Sequence, residues 1–355
     1  MKFLFFNFIF LFVSQSLAFA KVDFLRTYVL TIRGGNEQAM ENDQSFAYNT
    51  LKRLGVKERN FFNIAAYPDQ YRKGIEELLN GQGVELFKSS RRNFVQRFDL
   101  DKNGRVDLHE DLGHKNIIKG LKILAEKDYN DQGPSQLFIH LAAHGNVDNK
   151  LGGYVLLANS LDQPRLYATQ LAQWINDYVP QNTLVVIFVH ACYSGSFSSL
   201  QNGPNRLVIT SADESHVAWM GCVDGQVCSY FDRNFFSALG GINGVGKKVN
   251  ADVNDDGVVS LREAYQWSKD GYPHIVIKIE QIPGVKFDHN KFFNENNLGL
   301  YSNPDSWNAT KRGNFINFFF NPAPTEFVIH EGDLPQFYSE PNQDVVLGDP
   351  EIINS

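Results

Sequence analysis

The chain has 355 residues, with 33 basic against 40 acidic side chains and a formal charge of −7. That balance, with no basic run to offset it, argues against nucleic acid and anionic membrane surfaces as main partners. The length suits one large domain, or one domain with an appendage.

The chain opens on a segment that reads as a leader. Lys2 precedes an apolar run, residues 3–13, too short to remain as a spanning helix, and Ala18, Phe19 and Ala20 form a small-x-small cleavage pattern. Residues 1–20 are therefore expected to be a signal peptide, with an uncleaved anchor as the other reading. No later segment has a long apolar run, so the mature protein is expected to be exported (extracellular, periplasmic, or vacuolar or lysosomal) without a stable membrane anchor.

From Lys21 onward, short β-branched or aromatic runs alternate with helical periodicity. This is the α/β pattern of a mainly parallel sheet covered on both faces by helices. A strand over 28–32 ends at Arg33, Gly34 and Gly35, and an amphipathic helix over 43–54 stops at Gly55. A weaker strand follows at 63–66. The buried-type strand 136–141 runs into Ala142, Ala143, His144 and Gly145, then comes a hairpin arm at 153–158 and a helix over 168–178 closed by Pro180. The strongest strand, 183–189, runs into Ala191, Cys192, Tyr193, Ser194 and Gly195, and another strand spans 206–210. Residues 21–272 are expected to form this domain. Residues 273–355, rich in Asn, Phe and Pro, read as a partly extended C-terminal tail with a strand candidate at 315–320.

Two Asp-rich loops interrupt the domain at 99–110 and 252–263. In the first, Asp99, Asp101, Asn103 and Asp107 take positions 1, 3, 5 and 9 of an EF-hand loop. Gly104 takes the sharp turn, Glu110 the bidentate twelfth position, and the Arg105 carbonyl the seventh. The second repeats the pattern with Asp252, Asn254, Asp256, Gly257, Ser260 and Glu263, plus the Val258 carbonyl. Hard oxygen donors at alternate positions around a glycine turn are what Ca²⁺ requires; an Asx-rich turn without an ion is the plainer alternative. Helical patterns flank the first loop (91–98 and 117–127), whereas the second has only an exiting helix, 261–269. The distance between the loops in sequence argues for calcium as a structural cofactor and against an adjacent sensor pair.

There are three cysteines. Cys222 and Cys228 lie close together on a glycine-containing stretch and are read as a small disulfide loop, which leaves Cys192 unpaired. Three reduced cysteines are the alternative. In an open parallel sheet, reactive groups collect at the carboxyl ends of the strands. Cys192 and His144 each follow such an end, so neighbouring strands would bring thiol and imidazole face to face. A thiol attacks as thiolate, and an imidazole can take its proton. Gly145 permits close backbone approach and leaves an N–H for an oxyanion. His190, two residues before Cys192, is an alternative base or, as favoured here, a strand-end structural histidine; His140, inside a strand, reads as structural.

Residues 138–145 resemble the strand-plus-His-Gly motif of the legumain and caspase clan of cysteine peptidases. Residues 189–195 resemble that clan's Ala-Cys-x-Ser-Gly nucleophile motif, and the 48-residue spacing from His144 to Cys192 is close to the roughly 50 of caspase-type enzymes. Further likeness, closest to legumain-like proteins, lies in 32–36 with the helix holding Tyr48 and Leu51, in 208–215, and in Ser229, Tyr230 and Phe231, similar to a segment lining the primary specificity pocket. The resemblance covers about 25–240. It implies a caspase-like fold, Cys192 as nucleophile, His144 as general acid, and an oxyanion hole from the Gly145 and Cys192 N–H groups. It also implies Ser211 and Ser229 near the substrate, and a peptide or protein as that substrate. His190 stands where legumain has an acid and caspases a glutamine, so the preferred substrate side chain is left open. The function expected is a secreted, calcium-stabilised cysteine endopeptidase. A peptide ligase of the same clan, or a non-enzymatic calcium-binding surface protein on such a fold, are the alternatives. No Gly-x-Ser-x-Gly elbow supports a serine hydrolase.

Overall fold

The strand β1 (Thr27–Arg33) is buried along its whole length, and the architecture is laid out on either side of it. The computed structural model describes residues 24–66, 97–130, 135–158, 160, 162–218, 220–223 and 226–270. It also describes the short segments 275–277, 327–329, 336–338, 343–345 and 352–354. In chain order the elements are β1, α1 (Gln38–Leu54), β2 (Phe61–Ala65), β3 (Glu110–Asp111), α2 (His114–Asn130), β4 (Ser135–Ala142), β5 (Gly145–Asp148), β6 (Gly152–Leu156) and β7 (Arg165–Tyr167). There follow α3 (Ala168–Tyr178), β8 (Thr183–His190), β9 (Arg206–Thr210), β10 (Met220–Val223), β11 (Gln226–Ser229), α4 (Tyr230–Gly240) and α5 (Leu261–Asp270). Short strands close the series: β12 (Ile275–Ile277), β13 (Phe327–Ile329), β14 (Gln336–Tyr338), β15 (Gln343–Val345) and β16 (Ile352–Asn354).

The main sheet has the order β14-β9-β8-β4-β1-β2-β3. All its pairings are parallel except that of β14, which runs antiparallel along β9 with Phe337 opposite Ile209. The tail therefore contributes the edge strand of the sheet. Successive residues of a strand face opposite sides, and here both sides are apolar. Tyr28, Leu30, Ile32, Ile139 and Ile187 pack with Ile117, Leu121 and Leu124 of α2 and Leu171 and Ile175 of α3. Val29, Phe138, Val186 and Phe188 pack on the other side with Tyr48 and Leu51 of α1, Phe231, Phe235 and Phe236 of α4, and Tyr265 of α5. Burial on both faces explains why the central strands read as continuous apolar runs rather than alternating ones.

Element boundaries shift for local reasons. The helix expected from 43 begins at Gln38, with Glu37 in the N-cap position, and ends where Gly55 adopts φ 120° and its N–H bonds the Leu51 and Lys52 carbonyls. The arm expected at 153–158 is a three-stranded antiparallel sheet, β5-β6-β7. Residues 1–20, the strand candidate at 315–320 and most of the helix expected at 91–98 lie outside the described residues. Among the described residues no helix is long and apolar enough to cross a membrane.

The densest packing on the α1 side is aromatic. The Phe188 ring lies parallel to Phe231 at 5.6 Å and within 5.5 Å of Phe235 and Phe236. Truncating it removes those contacts and leaves a cavity, so Phe188→Ala should cost about 3–5 kcal/mol of stability. Denaturant unfolding checks this, and a loss below about 1 kcal/mol would mean that the cluster is not the anchor of this face.

Candidate active site

β4 and β8 are adjacent, with Leu141 opposite Val189 and Ala142 opposite His190. The alignment continues past the strand ends, since the Ala143 N–H donates to the His190 carbonyl at 3.0 Å. His144 and Cys192 are thus the next residues out on neighbouring chains. Glycine at 145 is what lets them close up: a Cβ there would overlap the Cys192 carbonyl oxygen and lie 2.9 Å from the Ala191 methyl. The His144 carbonyl is pinned from the other side by the Leu156 N–H at 2.7 Å.

The nucleophile turn is held from three directions. Cys192 is partly exposed, and its Sγ lies 3.8 Å from the Ala218 carbonyl. Tyr193 adopts the left-handed conformation (φ 57°, ψ 24°), unusual for a bulky residue, and donates its N–H to the His216 carbonyl at 2.7 Å. That reversal starts the short 3₁₀ segment Ser194–Asn202 and leaves the thiol at the outer bend. Ser211 accepts the Ala191 N–H at 3.2 Å, and Ser194 donates to the Ala212 carbonyl while accepting its N–H. Burial pushes the Tyr193 phenol up, and negative charge on Cys192 adds to the effect.

His144 has a partner that sequence reasoning missed. Its Nε2 lies 3.0 Å from Glu37 Oε1, and that hydrogen bond holds the Glu37 carboxyl below its ordinary value against the opposing effect of partial burial. The signal for it was present: an acidic residue at the cap of the helix that follows the Gly34-Gly35 turn at the end of β1, one strand from His144.

Beneath the strand ends lies a buried polar layer. His140 Nε2 and Asp232 Oδ2 are 2.6 Å apart, and the Ser229 hydroxyl and N–H both donate to Asp43. Burial and the neighbouring Asp232 push the Asp43 carboxyl up, with Ser229 opposing them. The expectation that Ser211 and Ser229 touch substrate is corrected here: both are fully buried and their hydroxyls are spent on Ala191 and Asp43. His190 is also buried, as a structural histidine would be, and burial pushes its imidazole down to about 4. An imidazole so reluctant to accept a proton is a poor base for Cys192.

Cys228 is buried on β11. In the β10–β11 hairpin Cys222 lies opposite Val227 and Cys228 opposite Gly221, so the two cysteines hold register positions of opposite parity.

Both acidic loops are wound around their own carboxylates. Asp99, Asp101 and Asp107 bring ligand atoms within 4.8 Å of one another, and Asp99 accepts the Asn103 and Gly104 N–H groups. Lys52 donates to Asp101 at 2.6 Å, while the Glu110 carboxylate ion-pairs with Lys119. The twelfth-position acid is therefore held outside the cluster, because Glu110 belongs to β3. In the second loop Asp252 accepts the Asp256 and Gly257 N–H groups, and the Asn254 amide donates to Asp256. Glu263 accepts N–H groups of Val253, Asn254 and Ser260, and Ser260 in turn accepts the Glu263 N–H, a capping box at the start of α5. Arg105 and Val258 lie in these loops, where the Arg105 N–H donates to Asn103 and the Val258 N–H to Asp256.

A mainly parallel α/β sheet with a partly exposed cysteine and a histidine at adjoining strand ends defines the caspase-like class of fold. The Peptidase C13 family model matches residues 27–242, which include both. The chain belongs to the Peptidase C13 family, a legumain-like family of cysteine-type peptidases. No protein in the curated comparison matches it.

His190 has a consequence for stability. Its folded value near 4 lies below the unfolded 6.5, so as pH falls through that window the unfolded chain takes up the proton first. Stability is lost there by up to about 3 kcal/mol. His190→Gln should flatten the decline between pH 6.5 and 4 in unfolding titrations, and equal slopes would contradict the assignment.

Proposed function

We propose that this protein is an exported cysteine endopeptidase acting through a Cys192–His144 dyad, stabilised by calcium. The observation that carries the dyad is the close fit of Gly145 on the Cys192 peptide, which supports a histidine and a thiol held at one substrate position. The Cys192 thiol gives its proton to His144, and the thiolate attacks the scissile carbonyl carbon. The Gly145 and Cys192 N–H groups receive the oxyanion. As the C–N bond breaks, the imidazolium protonates the leaving amine and a thioester remains on Cys192. Water, deprotonated by His144, then hydrolyses the thioester to the carboxylic acid and regenerates the thiol.

The acidic loops supply the oxygen donors of hard-cation sites. Asp99, Asp101, Asn103, the Arg105 carbonyl, Asp107 and Glu110 would hold one Ca²⁺, with Lys52 and Lys119 giving way to it. Asp252, Asn254, Asp256, the Val258 carbonyl, Ser260 and Glu263 would hold the other. The ion would supply positive charge where the loops concentrate negative charge. The expected signal peptide over 1–20 supports export.

The experiment is digestion of a diverse peptide library by wild type and Cys192→Ala, with and without a calcium chelator. The account expects cleavage by wild type, its loss in the variant by at least about 10³-fold, and a lowered melting temperature on chelation. Undiminished cleavage by Cys192→Ala would sink the nucleophile assignment, and an unchanged melting temperature would sink the structural role of calcium.

A further inference from the structure

We infer that the open edge of β5 receives the peptide substrate on the leaving-group side of the scissile bond, as an added parallel strand; this rests on the Cys192–His144 chemistry proposed above. β5 begins at Gly145, directly after His144, and is a terminal strand of the β5-β6-β7 sheet. Its pairing with β6 sets Gly145 opposite Val155 and Val147 opposite Gly153. In an antiparallel pair, alternate residues turn both backbone groups to the partner, and those between turn theirs away. The Leu156 N–H bonds the His144 carbonyl, so His144 and then Asn146 are the residues that face β6. Gly145 and Val147 therefore direct their backbone groups to the open edge. Val147 agrees with this: its N–H donates to the Asn146 side-chain oxygen at 2.8 Å, and its side chain is 41% exposed.

Edge and site are continuous. The Gly145 N–H, assigned above to the oxyanion, is the first outward donor of this row, and the Val147 N–H is the second, about 6.6 Å further along an extended chain. A parallel strand laid on the edge forms the ordinary slanted ladder. The carbonyl of the scissile bond accepts from Gly145. The second residue after that bond then donates its N–H to the Gly145 carbonyl, and its own carbonyl accepts the Val147 N–H in place of Asn146. The third residue lies beside Val147 and covers its exposed side chain. Direction follows from the chemistry. The leaving amine must reach His144, and the chain attached to it continues along the strand that starts there. The ladder is also tied to the nucleophile turn, because a Cβ on Gly153, opposite Val147, would overlap the Ser196 side chain. Main-chain pairing gives affinity with little demand on sequence, so this side of the peptide is read mainly by its length and extended shape.

The test uses the full chain, the variants Val147→Pro, Asn146→Ala and Cys192→Ala, and peptides that wild type cleaves, made with one or with three residues after the scissile bond. Proline at 147 deletes the outward N–H and spares the bonds to β6, a change that edge strands tolerate. Val147→Pro is expected to raise KM on the long peptides about 5–10-fold with kcat unchanged, and to leave the short peptides unaffected. Asn146→Ala, which frees the Val147 N–H, should lower KM on the long peptides. Wild type should lose about tenfold in kcat/KM from long peptides to short ones, and N-methylation of the second residue after the bond should reproduce most of that loss. Equal KM for Val147→Pro and wild type on the long peptides would overturn the inference. So would equal losses on both lengths, or a wild-type KM that depends on residues before the scissile bond and not on those after it. If Cys192→Ala cleaves as well as wild type, the dyad itself fails, while the response of KM to Val147→Pro and to peptide length still decides whether the β5 edge holds the peptide.

Discussion

The arrangement depends on one constraint, the parallel pairing of β4 with β8 carried one step beyond the strands. In-register pairing sets Ala142 beside His190, and the bond from Ala143 to the His190 carbonyl extends that register into the loops. His144 and Cys192 are neighbours because the sheet makes them so. Flexible loops would have to lose entropy to bring the two groups together at each encounter, whereas strand ends fix them when the chain folds. The cost is steric crowding where two backbones meet, and Gly145 relieves it by having no Cβ.

Helix α1 links the two chemically distinct regions of the molecule. At its start Glu37 reaches His144. Further along, Tyr48 donates to Asp107, Ser45 and Asn49 both donate to the Leu100 carbonyl, and Lys52 binds Asp101. The first acidic loop is thus strapped along the helix whose start meets His144. This gives the acidic loop a structural bearing on the site although it contributes no group to it.

Much of this was legible in the residues, and the exceptions have physical causes. The strands at 136–141 and 183–189 stood out because burial on both faces demands unbroken apolar runs, and their turns gave His144 and Cys192 by position alone. Glu37 was overlooked although it heads the helix after Gly35, because its contact with His144 joins residues 107 apart in sequence. Ser211 and Ser229 were assigned to substrate on resemblance; burial makes them fasteners of the turn and of Asp43 instead. Glu110 fits the loop pattern and, from its place in a strand beside β2, pairs with Lys119.

The central claim is that His144 and Cys192 act as one unit. It is tested most directly by the rate at which iodoacetamide alkylates Cys192 across pH 5–9, in wild type and in His144→Ala. The account predicts that wild-type Cys192 reacts at neutral pH at least about tenfold faster than in the variant, whose reactivity should rise only toward the ordinary thiol range near 8.5. Superimposable profiles would show that the imidazole does not act on the thiol, and would contradict the account.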